Sequence, residues 1–263
     1  MSTPIKNAII TAAGLGNRMQ PLTADRCKPM VEVGGQPIIG HVLDRLTAAD
    51  VTHIGVNTHY KPEGLNAYLQ QYAASHPGLA IKMLHEDILL DTGGGIKNLL
   101  KIMPAPDQPL YIVSGDSYWE DAAGPGTTLR LMADRFDPAR ADIMLLLKDL
   151  KKMTPTAGSP DYDIDMNGNL IRSLNQKGAY AWTSVRIIKN HSLFDNTPDT
   201  PFSFRILMDE AQAAGKLQAF LHTGAWHHFS TPADVAAVDR LAAAQKKIQA
   251  ADTGTKSVPG IGP

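Results

Sequence analysis

Short, unbroken apolar runs alternate with segments of helical periodicity through the first half of the chain. Such runs are typical of strands buried on both faces of a parallel sheet, and the periodic segments are typical of covering helices. Two such helices carry their apolar residues on one face, around Val42 and around Leu69. The pattern predicts an α/β fold with a doubly wound, mostly parallel sheet. The predicted strands are Lys6 to Thr11, His53 to Thr58, Ala80 to Leu84, Leu110 to Ser114 and Asp142 to Leu147.

After about residue 148 the pattern changes to shorter strands separated by turn residues. The Asn167-Gly168 pair marks a tight hairpin within Asp161 to Leu174, because both residue types tolerate the positive φ angles of such turns. A small antiparallel lobe is therefore expected over about 151–230. It would follow a nucleotide-binding part at about 1–150.

A terminal helix is predicted over about 232–249. Its start is marked by an N-cap residue, a first-turn proline and an acidic residue at the third helical position, which are Thr231, Pro232 and Asp234. Residues 251–263 are rich in Gly, Pro, Thr and Ser without periodicity, so we expect a disordered tail there. The rest, 1–250, is predicted to be a single domain.

Charge and cysteine content narrow the classes of protein. The chain has 263 residues and a formal net charge of −1, with its basic residues spread along the sequence. A nucleic-acid or membrane-surface partner would need a basic stripe, so neither is expected, and no protein partner is inferred. Cys27 is the only cysteine, which excludes an intrachain disulfide and favours a reducing cytoplasm. No apolar stretch approaches about 18 residues, so no membrane span is expected.

A glycine turn follows the first predicted strand directly, in the segment AAGLGNRMQPLTADRCKPM. Open α/β sheets bind ligands at the carboxyl ends of their strands, and Gly14 and Gly16 let backbone N–H groups approach phosphate oxygens there. Arg18 supplies a planar fork of donors and Lys28 a point charge. Residue 19 is Met, so the GxGxxG fingerprint fails, and no GxxxxGK[ST] motif is present. The segment therefore favours a triphosphate site of another kind.

The stretch from Ala12 to Pro29 resembles the first motif of the sugar-1-phosphate nucleotidyltransferase family. That resemblance implies a Rossmann-like nucleotidyltransferase fold whose glycine loop wraps the triphosphate. The loop positions here are Ala12, Ala13, Gly14 and Gly16. In the family, an arginine at the position of Arg18 stabilises the α-phosphate, and a lysine at the position of Lys28 assists at the same phosphate. Roughly residues 5–240 fit the family pattern.

Two further motifs carry candidate nucleotide contacts. Asp116 follows an apolar strand, where a carboxylate holds Mg²⁺ against phosphate oxygens, and the resemblance of VSGDSYW to the family's metal motif implies that role. In DTGGG, which resembles the base-binding loop, Thr92, Gly93 and Gly94 precede a helix expected to start near Ile96. Glu86 is a candidate acceptor for a ring N–H of uracil or guanine, with a solvated surface glutamate as the alternative.

The sugar side and the second metal ligand are less constrained. Trp182 and Thr183 occupy a place where relatives have an aromatic-Thr-Gly strand that lines the sugar pocket, although core packing also suits the tryptophan. Family members close to this chain carry a W-x-D-x-G-T segment whose aspartate is the second metal ligand. Here that segment reads WHHFST, with His228 in the aspartate's place. We therefore expect Asp116 and His228 to share Mg²⁺ or, because imidazole suits transition metals better, Mn²⁺. The alternative is that His228 binds a phosphate or packs.

The resemblance implies an enzyme that joins a nucleoside triphosphate to a sugar 1-phosphate and releases pyrophosphate. It favours the bacterial uridylyltransferases, with UTP and N-acetylmuramate 1-phosphate as substrates in cell wall recycling. Three alternatives stay open. The first is a guanylyltransferase acting on mannose- or heptose-1-phosphate, the second is a non-catalytic sugar-nucleotide binding protein, and the third is a glycosyltransferase of related fold.

Overall fold

The computed structural model describes residues 4–166 and 168–254, with side chains up to residue 244. The strands are β1 (Asn7–Thr11), β2 (Glu32–Val33), β3 (Gln36–Pro37), β4 (His53–Thr58), β5 (Ala80–His85), β6 (Leu110–Ser114), β7 (Tyr118–Trp119), β8 (Ile143–Asp149), β9 (Tyr162–Ile164), β10 (Leu170–Arg172), β11 (Tyr180–Ile188), β12 (Leu217–Leu221) and β13 (Trp226–His227). The helices are α1 (Ile38–Ala48), α2 (Pro62–Ser75), α3 (Asp91–Leu100), α4 (Thr127–Arg135), α5 (Arg205–Ala213) and α6 (Pro232–Gly254). Asn167 of the predicted hairpin and residues 255–263 of the predicted tail lie outside the described residues.

Nine of the described strands form one mixed sheet, in the order β10-β9-β11-β6-β1-β4-β5, with β8 beside β11 and β12 beside β8. The strands β5, β4, β1 and β6 are parallel neighbours. β11 runs antiparallel to both β6 and β8, and β12 runs parallel to β8. The predicted α/β class with a mostly parallel sheet is confirmed. The five predicted strands are present to within two residues at each end.

Both faces of the central part of this sheet are covered, which explains why β1 and β6 are apolar at consecutive positions. Ile10 faces the cluster that contains Leu46 of α1 and Leu65 of α2. Its neighbour Ile9 faces the opposite cluster, which contains Leu99 of α3 and residues of α5. Successive side chains of a strand point to opposite faces, so a strand covered on both sides needs apolar residues at every position. The central strands are thereby held between two hydrophobic cores.

The second half of the chain extends the same sheet. β9 and β10 form the predicted antiparallel hairpin, with Leu170 opposite Ile164. β9 also pairs with β11, through Tyr162 and Tyr180. The antiparallel strands are thus continuous with the central sheet. Of these strands, β11 lies beside β6, whose carboxyl end leads to Asp116.

The terminal helix α6 begins as predicted. The Thr231 N–H donates to Asp234 Oδ2 (2.8 Å) and the Asp234 N–H donates to Thr231 Oγ1 (3.4 Å), which is a reciprocal cap. The helix runs to Gly254, so the expectation of disorder from residue 251 is wrong for 251–254. Strong helix formers continue through Ala251, which explains the extension. Within the described ranges, neither α6 nor another helix is long and apolar enough to cross a membrane.

Candidate active site

The turn after β1 is shaped by Gly16, which has a φ of 65°. A Cβ at this position would lie 3.1 Å from Lys28 Cβ and 3.2 Å from Thr23 Cγ2, so both the conformation and the space favour glycine. Thr23 Oγ1 donates to the Gly16 carbonyl (3.1 Å) and closes the turn. Arg18 follows in a 3₁₀ turn, Asn17–Met19. The backbone thereby brings the segments that carry Arg18 and Lys28 together.

A cleft of about 280 Å³ opens at this turn. Arg18, Lys28 and Asp116, which are far apart in the sequence, all line it. The remaining lining residues are Thr11, Ala12, Gly14, Leu15, Gly16, Asn17, Met19, Pro29, Ser114 and Ser230. The structure therefore brings both predicted cations and the predicted acid to one cavity at the carboxyl end of β1 and β6.

Asp116 is held by two neighbours. The Lys28 ammonium forms an ion pair with Oδ2, and the Ser114 hydroxyl donates to Oδ1. Burial alone would raise the pKa of Asp116, but the Lys28 charge and these hydrogen bonds outweigh it and hold that pKa below its usual value. The carboxylate is therefore ionised. Sequence analysis missed Ser114, although its position at the last residue of a strand, two before Asp116, was a usable signal.

Arg18 is the cation without a carboxylate of its own. Its side chain is exposed in the cleft, and within the described residues it makes no hydrogen bond or ion pair. Lys28, by contrast, is paired with Asp116. A free guanidinium beside a neutralised ion pair gives the cleft a surplus of positive charge, which suits a polyanionic ligand.

A second cavity, of about 440 Å³, adjoins the first. Thr11, Gly14 and Ser114 line both cavities, so the two cavities share a wall. The other lining residues are Ala13, Asn57, Glu86, Leu89, Asp91 and Thr92. A nucleotide whose phosphates occupy the first cavity, the phosphate cleft, has room for its base in the second. Of the predicted base contacts, Glu86 and Thr92 line the cavity.

Glu86 is buried, and it connects the walls of the two cavities. Its Oε1 accepts from Asn57 Nδ2 (2.7 Å) and its Oε2 accepts from the Leu90 N–H (3.1 Å). Asn57 Oδ1 in turn accepts from the Ala12 N–H (2.7 Å). Glu86 is thus not the solvated glutamate of the alternative interpretation, and the Ala12 amide is used within the protein. Each carboxylate oxygen retains a further lone pair for a ligand. Asn57, near the carboxyl end of β4, was also missed.

The DTGGG segment differs from its prediction, because α3 begins at Asp91 and not near Ile96. The Gly93 and Gly94 N–H groups donate to the Phe202 carbonyl (2.8 and 3.2 Å), and both residues are buried behind the cavity wall. Glycine is intrinsically poor in helices, which favoured a loop. Close packing against Phe202 overrides that cost, since a Cβ at Gly93 would overlap the Phe202 ring. Gly93 and Gly94 therefore shape the wall without touching the cavity.

Replacing Gly93 with alanine is expected to destabilise the protein by about 1–3 kcal/mol, the usual cost of overpacking a core. The matched control is Gly64→Ala in α2, where nothing lies within 4 Å of the added Cβ. That change should stabilise by about 0.4–1 kcal/mol through loss of unfolded-state entropy. Urea denaturation of both variants measures the difference. Equal stability of the two would contradict the packing role given to Gly93.

The two predicted sugar contacts, Trp182 and Thr183, lie in different surroundings. Thr183 is fully buried, and its hydroxyl donates to the Leu146 carbonyl (2.8 Å), so the structure places it in the core and away from the cavities. The Thr183 carbonyl accepts from Ser117 Oγ (3.3 Å), one residue after Asp116. Trp182, its neighbour, lines a separate cavity of about 100 Å³ together with Asp161 and Arg205. A strand alternates faces, so only one of two adjacent residues can line a given cavity.

Comparison with known proteins agrees with this geometry. Residues 7–157 match the family described as Nucleotidyl transferase. The chain is also 35% identical over 249 residues to the N-acetylmuramate alpha-1-phosphate uridylyltransferase of Caulobacter vibrioides. The aligned residues cover 93% of this chain and 100% of that protein. The chain belongs to the nucleotidyl transferase family.

Two further proteins are similar to this chain, one over a shorter stretch and one in fold alone. The mannose-1-phosphate guanylyltransferase of Mycobacterium tuberculosis is 37% identical over 147 residues, which are 56% of this chain and 38% of that one. The structure of the inositol-1-phosphate CTP transferase from T. maritima superposes with a TM-score of 0.74, over 95% of this chain and 98% of that one. At 15% identity this second likeness shows the fold, and it confirms the expected nucleotidyltransferase architecture.

In this nucleotidyl transferase His228 follows β13, and its backbone N–H donates to Thr156 Oγ1 (2.9 Å). Its Nε2 is hydrogen-bonded to Ser230 Oγ (2.6 Å), and Ser230 lines the phosphate cleft. Burial lowers the pKa of His228, and the charges of Lys28 and Arg18 lower it further, against the opposing effect of Asp116. His228 is therefore neutral at pH 7 and lies within electrostatic reach of the cleft's charged groups.

The side chains that line the phosphate cleft determine which metal ion the cleft could bind. The described residues contain no group of three or more His, Cys, Asp or Glu side chains arranged to hold a metal ion. Asp116 is the one carboxylate among the described residues that line the phosphate cleft. Mg²⁺ is commonly bound by one or two carboxylates together with substrate phosphates, so a single aspartate in a phosphate cleft fits it.

Proposed function

We propose that this nucleotidyl transferase joins UTP to a sugar 1-phosphate, giving a nucleotide sugar and pyrophosphate. The observation that carries the proposal is the convergence of Arg18, Lys28 and Asp116 on one cleft that adjoins a second cavity. N-acetylmuramate 1-phosphate is the proposed sugar substrate, supported by the Caulobacter vibrioides relative. Residues 1–150 would bind the nucleotide and residues 151–230 the sugar. We place the enzyme in the cytoplasm and in cell wall recycling.

The proposed chemistry is an in-line displacement at the α-phosphorus of the nucleotide. A phosphate oxygen of the sugar 1-phosphate forms the new bond, the bond to the bridging oxygen between the α- and β-phosphates breaks, and pyrophosphate leaves with that electron pair. The attacking oxygen is already ionised, so no protein nucleophile is needed. The protein must align two polyanions and neutralise the charge of the transition state. Arg18, Lys28 and the loop amides are suited to this.

Mg²⁺ is the proposed cofactor, with Mn²⁺ as a substitute. Asp116 would hold it as a hard oxygen donor, and His228 would be the second protein donor if its Nε2 leaves Ser230. When bound, such an ion neutralises phosphate charge and orients the triphosphate. In the absence of the metal, Lys28 already balances the Asp116 charge, which keeps the carboxylate ionised and in position.

The nucleobase assignment depends on Glu86. A buried carboxylate that faces a cavity can accept the ring N–H of uracil, and its fixed hydrogen bonds to Asn57 and Leu90 hold it in place. Guanine also presents a ring N–H. A guanylyltransferase acting on mannose- or heptose-1-phosphate is therefore the second candidate, favoured by the similarity to the mycobacterial enzyme over 147 residues.

A substrate matrix tests the proposal. UTP, GTP, CTP and dTTP are each combined with N-acetylmuramate 1-phosphate, mannose 1-phosphate and glucose 1-phosphate, with Mg²⁺, Mn²⁺ or a chelator, and pyrophosphate release is followed. We expect the highest kcat/KM for UTP with N-acetylmuramate 1-phosphate, and no turnover with the chelator. GTP preference would select the guanylyltransferase. Nucleotide-sugar binding without pyrophosphate release in any combination would make the chain a non-catalytic binding protein.

A further inference from the structure

Arg186 is a buried cation that the proposed phosphate chemistry does not use. It lies in β11, opposite Leu145 of β8 and Ile112 of β6, and is 3% exposed. Within the described residues it forms no ion pair, and its Nε is buried without a hydrogen-bond partner. Its guanidinium lies 4.0 Å from the ring centroid of Phe204 and 5.1 Å from that of Trp182. Burial lowers its pKa to about 9, so it is charged at neutral pH.

Such an arrangement is costly for a folded protein. Transfer of an ion from water to a protein interior carries a penalty of several kcal/mol unless a counter-ion or hydrogen bonds offset it. Two aromatic rings supply part of the offset through cation–π contact. Arg172, on the neighbouring hairpin, shows the usual solution, because its guanidinium pairs with Asp209. Among the described residues Arg186 has no such carboxylate, so its charge can be balanced by an anionic group of a ligand.

A second unsatisfied donor lies at the same place. Trp182 Nε1 is buried and has no hydrogen-bond partner among the described residues. Trp182 and Arg186 thus supply two N–H donors, and buried donors of this kind are rarely left unpaired. An apolar ligand would satisfy neither donor, and a cation would be repelled. A carboxylate, with two acceptor oxygens and a negative charge, would satisfy both.

The location is also suited to a substrate. Trp182 lines the cavity of about 100 Å³ described above, whose lining includes Arg205. Within the described residues, the Arg205 side chain makes no hydrogen bond or ion pair, so this cavity has an uncommitted cation of its own. Arg186 is not a lining residue and adjoins the cavity through the Trp182 ring. The adjacent residue, Thr183, is hydrogen-bonded to Ser117, which follows Asp116 in the chain. β11 thus connects the wall of this cavity, at Trp182, to the segment that carries Asp116, at Thr183.

We propose that Arg186, with the indole N–H of Trp182, recognises a carboxylate on the sugar and so selects acidic sugar 1-phosphates over neutral ones. The proposal rests on the proposed function, since it assumes that the acceptor is a sugar 1-phosphate. It assigns the specificity to a residue in the middle of β11, away from the phosphate cleft. In the substrate named above, the carboxylate belongs to the lactyl ether that distinguishes N-acetylmuramate from N-acetylglucosamine.

The decisive variant is Arg186→Met, which keeps the length of the side chain and removes its charge and donors. For N-acetylmuramate 1-phosphate we expect kcat/KM to fall by about 10- to 100-fold, the effect of losing a hydrogen bond to a charged group. For N-acetylglucosamine 1-phosphate, which lacks the carboxylate, kcat/KM should stay within about 3-fold of wild type. The melting temperature of the ligand-free variant should rise, because an unpaired buried charge has been removed.

Arg45→Met is the matched control. Arg45 is also buried in large part, has an unpartnered Nε and lies over two aromatic rings, Tyr118 and Trp119. Its guanidinium, however, donates to the His41 carbonyl (2.8 Å), and neither of its two aromatic rings lines the cavity that Trp182 lines. Arg45→Met should leave the ratio of the two kcat/KM values unchanged. A purely structural Arg186 would instead lower both kcat/KM values equally and lower the melting temperature, which would overturn the proposal.

A binding measurement separates this inference from the proposed function. The affinities of wild type for UDP-N-acetylmuramate and UDP-N-acetylglucosamine are compared by calorimetry, a measurement that needs neither turnover nor a folded variant. At least about 10-fold tighter binding of the acidic nucleotide sugar supports carboxylate recognition, even if no pyrophosphate is released in the substrate matrix. Equal affinities would refute it, even for an active uridylyltransferase. Arg186→Lys, which keeps the charge, should retain part of the preference.

Discussion

An Asp116→Asn enzyme is expected to turn over about 10³-fold more slowly than wild type at saturating substrates and Mg²⁺. Asparagine keeps the size of the side chain and an acceptor for the Ser114 hydroxyl, but it removes the negative charge that pairs with Lys28. It also removes the hard anionic donor proposed for the metal. Because the loss affects the stabilisation of charge in the transition state, kcat should fall by more than KM rises. Steady-state pyrophosphate release measures both parameters.

The control for this variant is Asp121→Asn. Asp121 lies five residues further along the chain, accepts from the Gly126 N–H (2.7 Å) and the Thr128 N–H (3.2 Å), and so caps α4. Its replacement should lower the melting temperature and leave kcat within about 2-fold of wild type. A kcat for Asp116→Asn that also stays within about 2-fold would remove Asp116 from the chemistry.

The elements that the sequence predicted correctly are those whose pattern is repeated. The strand at 110–114 is apolar at four consecutive positions because both faces of the sheet are covered, and this local signal is sufficient to identify a buried strand. The cap of α6 was equally readable, since Thr231 and Asp234 satisfy each other within four residues. The convergence of Arg18 and Asp116 followed from the rule that parallel strands present their carboxyl ends at one edge.

The features that sequence analysis missed depend on contacts between distant segments. The glycines of DTGGG are helical because Phe202, more than a hundred residues away, needs the space of a missing Cβ. Glu86 is buried because Asn57 of another strand and the Leu90 amide satisfy its oxygens. Arg186 is conspicuous only when its surroundings are known, since an arginine within a strand carries no local sign of an absent counter-ion.

An Arg18→Ala enzyme is expected to lose about 10²-fold or more in kcat, the effect of removing one electrostatic donor from a transition state. Arg18 is exposed in the cleft and, within the described residues, has no hydrogen bond or ion pair, so its removal breaks no contact that holds the fold. The melting temperature should therefore stay unchanged. Kinetics at saturating UTP, together with thermal denaturation, separate a lost catalytic contact from a lost fold.

Two companion variants define what Arg18 contributes. Arg18→Lys keeps the charge but loses the planar fork that matches two phosphate oxygens, so it should recover only part of the loss. Arg26→Ala removes a neighbouring cation of the same loop, which is exposed and paired with Asp25 (2.9 Å) and does not line the cleft. That variant should keep full activity. If Arg18→Ala and Arg26→Ala had the same kcat, general positive charge would explain the loop, and the specific alignment of the α-phosphate by Arg18 would be excluded.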